Sequence, residues 1–292
     1  MHGLSTTIPI DTLQTGPCQD DPWLKIAWNW WWDGSKLLRK KEVDVAIVNG
    51  VIPLKFSPKV VVNHGGFTAG RLYLWAAKQL YRRYDAVVCV SNKLRSEVKN
   101  TLGVDCGVVP LPIKLDLYKP ASPGGREDVV VHIGTRHVKN PQISIETIKI
   151  LRRRGYGVKL VMIGAPSYTP SDEVVEFRSG ITENEKIELL CRAKALILPS
   201  SYESFSYVTI EAMACGTPVV VSSAVPEEIV TNGYNGIRLN SYDPIDYANA
   251  LDRLLKDEKL WLRLSQNGQE FVRQFDYVNI ASRYLELIHR FM

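Results

Sequence analysis

Apolar positions along this chain follow two periods. Short, nearly unbroken β-branched runs stand at Val129–Ile133, Val158–Ile163, Ala195–Leu198 and Pro218–Val221. Runs of that length, nearly continuous in apolar character, predict strands buried on both faces of a parallel sheet. Between them the apolar residues recur at helical spacing, with marked ends. Asn140 and Pro141 open one helix that closes at Gly155. Thr182 and Glu185 form a capping box for a second, and Asp243, Pro244 and Asp246 open a third. Strands alternating with helices over short connections predict a doubly wound α/β domain.

The earlier half alternates less regularly. Val43–Val48, Lys59–Val62 and Ala86–Val90 read as three parallel strands, with a basic amphipathic helix over Arg71–Tyr84 between the second and third. From Lys119 to Asp128 proline, glycine and charge replace any apolar period, which predicts a linker. With 292 residues, two domains are expected. They are assigned here as 1–120 and 121–276. A helix from about Glu258 to Phe275 is followed by a last one, Tyr277 to Phe291. The first 40 residues are polar up to Asp21 and then crowded with Trp23, Trp28, Trp30, Trp31 and Trp32.

Composition narrows the class. Hydrophobic residues make up 45% and charged residues 23%, as in ordinary globular domains. A net charge of +5, without dense basic clusters, argues against a nucleic-acid partner and is compatible with an anionic ligand or membrane surface. Cys18, Cys89, Cys106, Cys191 and Cys215 are scattered without CxxC spacing. Reduced, buried thiols and a cytoplasmic setting are therefore expected. No run approaches 18 apolar residues and no secretory leader pattern opens the chain, so a soluble or peripheral protein is expected.

The segment from Leu198 to Pro218 carries the clearest chemistry. A buried strand leads into a loop holding Glu203, then into a helix of about ten residues bearing Glu211; Gly216 ends it and Pro218 prevents its resumption. This order aims a helix N-terminus, with free N–H groups and partial positive charge, at the edge of a sheet. A diphosphate fits such a place, and the two glutamates could grip sugar hydroxyls on either side. A nucleotide-sugar ligand is the expectation.

These residues closely resemble the Glu-x7-Glu signature of glycosyltransferase family 4, whose members are retaining enzymes of the GT-B fold. The flanking residues agree: Pro199-Ser200, Glu211-Ala212-Met213-Ala214, Gly216-Thr217-Pro218-Val219-Val220, then Glu228-Ile229-Val230 and Asn232-Gly233-Tyr234-Asn235-Gly236. The resemblance runs strongly from about Val129 to Asp257 and more weakly from Val43 to Pro120. It implies two Rossmann-type domains facing across a cleft, an acceptor side (1–120) to which the terminal helix 277–292 returns, and a donor side (121–276). It also implies roles. Glu203 would contact donor-sugar hydroxyls near the reacting carbon, and Glu211 the ribose. Arg136 and Lys139, after Gly134, would hold the diphosphate, although Arg136 stands one position late and Lys139 close behind it. Phe205, Ser206 and Tyr207 would offer backbone N–H groups; the family often has glycine where Ser206 stands. His64, in Asn63-His64-Gly65-Gly66, would lie near donor sugar and acceptor, or else serve the fold alone. Ser91 matches a recurring serine, with helix capping as its other reading. Arg178, in Phe177-Arg178-Ser179-Gly180, would lie by the nucleobase, with uridine and guanosine both open.

No two aspartates are separated by one residue, so the Asp-x-Asp metal motif is missing and transfer without a metal or other cofactor is expected. His132 and His137 lack ligand-like spacing to any cysteine. The expected activity is hexose transfer from a nucleoside-diphosphate sugar to an unidentified acceptor hydroxyl. An epimerase or hydrolase on the same fold, or an inactive nucleotide-sugar-binding subunit, are the alternatives. The tryptophan cluster reads as core, as an acceptor-stacking surface, or, with Arg39, Lys40 and Lys41, as a peripheral contact with the inner membrane face.

Overall fold

The computed structural model describes residues 44–50, 57–66, 71–121, 125–168, 170 and 172–291. The tryptophans at 23–32, Arg39 to Lys41 and Cys18 lie outside these. The chain divides into two compact units, Met1–Pro112 with Tyr277–Met292, and Ile113–Asp276.

In the first unit, strands β1 (Ala46–Asn49), β2 (Lys59–Asn63), β3 (Ala86–Cys89) and β4 (Gly107–Val108) form a parallel sheet in that order. Helix α1 (Arg71–Tyr81) connects β2 to β3, and α2 (Asn92–Leu102) connects β3 to β4. Helix α1 stops three residues before the expected Tyr84. The N–H groups of Arg83 and Tyr84 turn to the carbonyls three residues back, which tightens the end out of α-helical geometry. Ser91 caps α2, its hydroxyl accepting from the Leu94 N–H at 3.0 Å, and left-handed Gly103 (φ 62°) ends it.

The second unit runs β5 (Glu127–Ile133), α3 (Pro141–Arg153), β6 (Lys159–Ile163), β7 (Val175–Arg178), α4 (Glu183–Arg192), β8 (Ala193–Leu198), α5 (Tyr207–Ala214), β9 (Val219–Ser222), β10 (Ile237–Leu239), α6 (Pro244–Lys256) and α7 (Glu258–Val272). Its sheet is parallel throughout, in the order β10-β9-β8-β5-β6-β7. The chain enters at the middle strand β5, builds outward to β7, then returns to β8 and builds the other way. The reversal between β5 and β8 leaves a crevice at their C-terminal ends, because the connections there diverge to opposite faces. The predicted capping box is formed at Thr182 and Glu185, and Asp243 caps α6. The core packs Val130, Leu160, Met162 and Ile197 of the sheet against Ile145, Ile148 and Leu151 of α3, Tyr247 and Leu251 of α6, and Trp261 and Leu264 of α7.

The last helix, α8 (Tyr277–Ile288), belongs to the first unit. It buries Ile280 among Val60, Val88 and Val109, with Tyr284 and Leu287 packed on the same cluster.

The stretch expected to be a linker is different in its second half. Glu127 and Asp128 are already in β5, and Arg126 is buried, while the division between the units falls at Pro112. The Arg126 guanidinium donates to the carbonyls of Cys215 (2.7 Å), Gly216 (3.1 Å) and Ala193 (3.1 Å) and lies 5.1 Å over the Trp261 ring. It meets the C-terminal end of α5, where unsatisfied carbonyls carry partial negative charge. Polar composition suggested a linker here; a buried cation serving a distant helix end leaves no periodic signature.

The cysteines also depart from expectation. Cys191 at the end of α4 and Cys215 after α5 form a disulfide, with Cα atoms 4.5 Å apart, so these two are not reduced thiols. They stand 24 residues apart in sequence, and only the packing of α4 against α5 brings them together. Cys89 and Cys106 are free and buried, their sulfurs 2.8 Å apart.

Arg126→Met should lower the unfolding free energy by about 3 kcal/mol or more, since a hydrogen bond to a charged group is worth roughly 1.5–3 kcal/mol and three carbonyls lose a donor. Urea unfolding followed by circular dichroism measures it.

Candidate functional site

The loops that follow β5 and β8 meet at the reversal point of the second sheet. The Ser201 N–H donates to the Val138 carbonyl at 2.8 Å, and the Asn140 amide donates to the Pro199 carbonyl at 2.9 Å. Asn140 takes the left-handed conformation (φ 48°), which turns a short 3-10 turn, His137–Lys139, into α3. These bonds bring Lys139 to Glu203. The lysine Nζ donates to Glu203 Oε1 at 2.5 Å, and the Ser200 hydroxyl donates to the same oxygen at 2.7 Å. Lys139 and Glu203 side chains are only 14% and 9% exposed, so each charge depends on the other for its solvation.

Gly134 stands at the end of β5 with φ 105°, a conformation that favours glycine. A Cβ there would lie 3.0 Å from Cγ of Lys139. Glycine at this position thus leaves the lysine room to lie across the turn. The turn is also held from beneath. His132 is fully buried in β5, its Nε2 2.7 Å from the Gly134 carbonyl and its Nδ1 2.8 Å from the Ser144 hydroxyl. A carbonyl only accepts, so Nε2 carries the proton and Nδ1 accepts from Ser144. Burial pushes the His132 pKa down to about 4.

Beyond Glu203 the chain turns into α5 through Ser206, which is left-handed at φ 80°. That conformation accounts for glycine being usual here in the resembling family. Here the Ser206 hydroxyl is 2.7 Å from that of Thr209. Phe205 is buried with its ring edge-on to Phe275 at 5.7 Å, so only its backbone can serve a ligand. Tyr207 opens α5 and stays 40% exposed. Helix α5 has eight residues rather than about ten, and Gly216 (φ 66°) follows its end.

Glu211 is buried within α5. Its Oε1 accepts from Lys186 Nζ at 2.8 Å and lies 3.4 Å from the Tyr118 hydroxyl. Among the described residues, Oε2 is buried without a partner. Burial raises the Glu211 pKa, against the lowering effect of Lys186. Tyr207, near the same carboxylate, has its phenol pushed up to about 12, first by burial.

The structure thus gathers Gly134, Lys139, Glu203, Ser206 and Tyr207 around one pair of loops, with Glu211 on the helix they open into. Arg136 and His137 are exposed in the same loop. Arg178 ends β7, two strands from β5, with its guanidinium paired to Glu176 of its own strand at 2.6 and 2.8 Å. His64 follows β2 in the first unit, part-buried, with its pKa lowered by that burial. Lys186, Tyr118, Ser200 and His132 also shape the site. Ser200 sits inside the recognised motif. Lys186 lies on the helix opened by the capping box, but nothing in the sequence aims its side chain at Glu211.

The fold is α/β of GT-B construction, with a parallel Rossmann-type sheet in each unit. The sequence matches the family Glycosyl transferases group 1 over residues 118–271, and Glycosyltransferase Family 4 over residues 8–117. The chain belongs to the glycosyl transferases of group 1, within family 4. A relative from Campylobacter jejuni, N,N'-diacetylbacillosaminyl-diphospho-undecaprenol alpha-1,3-N-acetylgalactosaminyltransferase, is 34% identical over 137 residues, covering 44% of this chain and 36% of that protein. Alpha-maltose-1-phosphate synthase of Mycolicibacterium smegmatis is 27% identical over 258 residues, covering 74% and 66%. The chain thus spans about a third of the first relative's length and two thirds of the second's. The crystal structure of Anabaena Alr3699/HepE in complex with UDP-glucose superposes with a TM-score of 0.70 over 80% of this chain and 72% of that one, at 20% identity, which is a likeness of fold.

The low pKa of His132 sets a pH dependence. Its ordinary value is 6.5, so between pH 6.5 and about 4 the unfolded chain binds a proton that the folded protein refuses. The corresponding stability is fully present above that window and is lost as the pH falls through it, about 3 kcal/mol in all. His132→Gln should flatten the dependence of urea midpoint on pH across this window.

Proposed function

We propose that this protein is a retaining glycosyltransferase that moves a hexose from a nucleoside-diphosphate sugar to an acceptor hydroxyl, without a metal. The observation that carries this reading is the pair of buried carboxylates at the reversal point, each held by a lysine: Glu203 in the loop before α5 and Glu211 in the middle of that helix. Their identity as the Glu-x7-Glu residues of the family supports the reading, as does the UDP-glucose bound by the Anabaena neighbour.

In this proposal the diphosphate lies against the first turn of α5 and draws charge from Lys139 and Arg136. Glu203 accepts from hydroxyls of the transferred sugar and Glu211 from the ribose. Peptide N–H groups of Phe205 to Tyr207 complete the phosphate contacts. Arg178 leaves Glu176 to meet the base. The bond from the anomeric carbon to the phosphate oxygen breaks while the acceptor oxygen bonds to that carbon on the same face. The acceptor proton passes to the departing phosphate oxygen. Cationic side chains and helix dipole stabilise the developing phosphate charge, the largest catalytic contribution expected of such a site.

The acceptor is proposed to be membrane-borne. Leu72 and Trp75 on α1 are 63% and 55% exposed, Arg71 and Lys78 stand seven residues apart on the same helix, and Arg82 follows its end. Exposed tryptophan among basic residues suits an anionic lipid surface. The Campylobacter relative is named for a diphospho-undecaprenol substrate, which accords with this. Among the described residues no helix is long and apolar enough to cross a membrane.

Lys139→Ala, checked for cooperative melting, should lower kcat/KM for the donor by about 100- to 1000-fold, the usual loss for one electrostatic contact to a leaving group. The wild-type enzyme should keep its rate in excess chelator, and proton NMR of the product should show the donor's anomeric configuration. Normal turnover by the lysine variant, or an inverted anomer, contradicts the reading. Trp75→Ser should reduce sedimentation with anionic vesicles at low salt and leave transfer to a short water-soluble acceptor unchanged.

A further inference from the structure

Glu211 is nearly inaccessible, and its two oxygens are treated differently. Oε1 accepts from Lys186 Nζ at 2.8 Å, with the Tyr118 hydroxyl 3.4 Å away. Oε2 is buried and has no partner among the described residues. A buried acceptor without a donor costs roughly 1–3 kcal/mol in general, so its place in a helix beside the donor loops calls for a reason. Lys186 is also fixed on its far side, its Nζ 2.6 Å from Glu183 Oε1. Its side chain is 18% exposed against 61% for Glu183. The ammonium therefore bridges a surface carboxylate to a buried one, across the interface of α4 and α5. The Cys191–Cys215 disulfide staples the same two helices five residues beyond Lys186 and four beyond Glu211.

We propose that Lys186 is a positioning residue for donor binding: by occupying Oε1 it keeps Glu211 ionised and turned so that Oε2 alone is offered to one hydroxyl of the nucleotide ribose. This rests on the proposed ribose contact of Glu211 and adds to it the means by which a buried carboxylate stays charged and presents a single oxygen. The charged and titratable groups facing Glu211 are Lys186 and Glu183 from α4, Tyr118 from the preceding segment and Tyr207 from its own helix. Only Lys186 among them opposes the cost of burying the charge by Coulomb attraction; Tyr118 assists through its hydrogen bond. Without the lysine, burial and Glu183 both favour the protonated acid, which accepts more weakly and must also place a proton.

The test is calorimetric titration with uridine, guanosine and adenosine diphosphate, following the tightest binder from about pH 6 to about pH 9. The proteins are wild type, Lys186→Met, Lys186→Arg, Glu211→Gln and the Lys186→Met/Glu211→Gln double variant. Wild type and Lys186→Arg should bind with little dependence on pH. Lys186→Met should bind about tenfold more weakly at the acid end and recover as the pH rises and Glu211 ionises. The double variant buries no unpaired charge and keeps the comparison usable if the single variant unfolds; it should bind like Glu211→Gln. A loss in Lys186→Met that is equal at every pH, or a double variant clearly weaker than Glu211→Gln, overturns the role of Lys186 while leaving the ribose contact standing. Unaltered binding by Glu211→Gln removes the ribose contact itself, and this inference with it.

Discussion

The ion pair between Lys139 and Glu203 organises this site. Removing one member of so buried a pair typically costs about 3–5 kcal/mol, because the remaining charge is stranded in a poorly solvating place. The pair therefore fastens the loop after β5 to the loop after β8, across the point where the sheet reverses direction. Everything else nearby serves that junction. Gly134 gives the lysine room against the turn, His132 bonds the Gly134 carbonyl, and Ser200 donates to the same Glu203 oxygen as the lysine.

A similar economy governs α5. Its N-terminus opens from the strained Ser206 turn at the loop after β8, and its C-terminus is met by Arg126, whose charge opposes the negative end of the helix dipole. Glu211, mid-helix, is supported by Lys186 from α4. A short helix that is apolar on nearly every side is thus anchored by charge at its end and middle. Among the described residues Glu211 Oε2 is buried without a partner, and it lies where the proposed donor would supply one.

Much of this was legible in the sequence. Strands buried on both faces announce themselves as unbroken β-branched runs, and the second sheet lies close to where those runs stand. Caps at Ser91, Thr182 and Asp243 are local interactions over two or three residues, so spacing alone finds them. Glu203 and Glu211 were visible because a loop and the helix after it keep both within one contiguous motif. What stayed hidden are contacts whose partners lie far apart along the chain. Lys186 and Glu211 are separated by 25 residues, Cys191 and Cys215 by 24, and Arg126 and Cys215 by 89. Polar residues at such distances carry no periodicity, so Arg126 was read as linker and the cysteines as free thiols. Arg178, placed by resemblance, is in fact engaged by Glu176, a neighbour that a strand's period of two puts on the same face.

The most direct test is a crystal structure with the tightest-binding nucleoside diphosphate. The account predicts the diphosphate against the first turn of α5, with the Lys139 ammonium drawn from Glu203 to a phosphate oxygen. A nucleotide bound elsewhere, with Lys139 still fixed on Glu203, would contradict it.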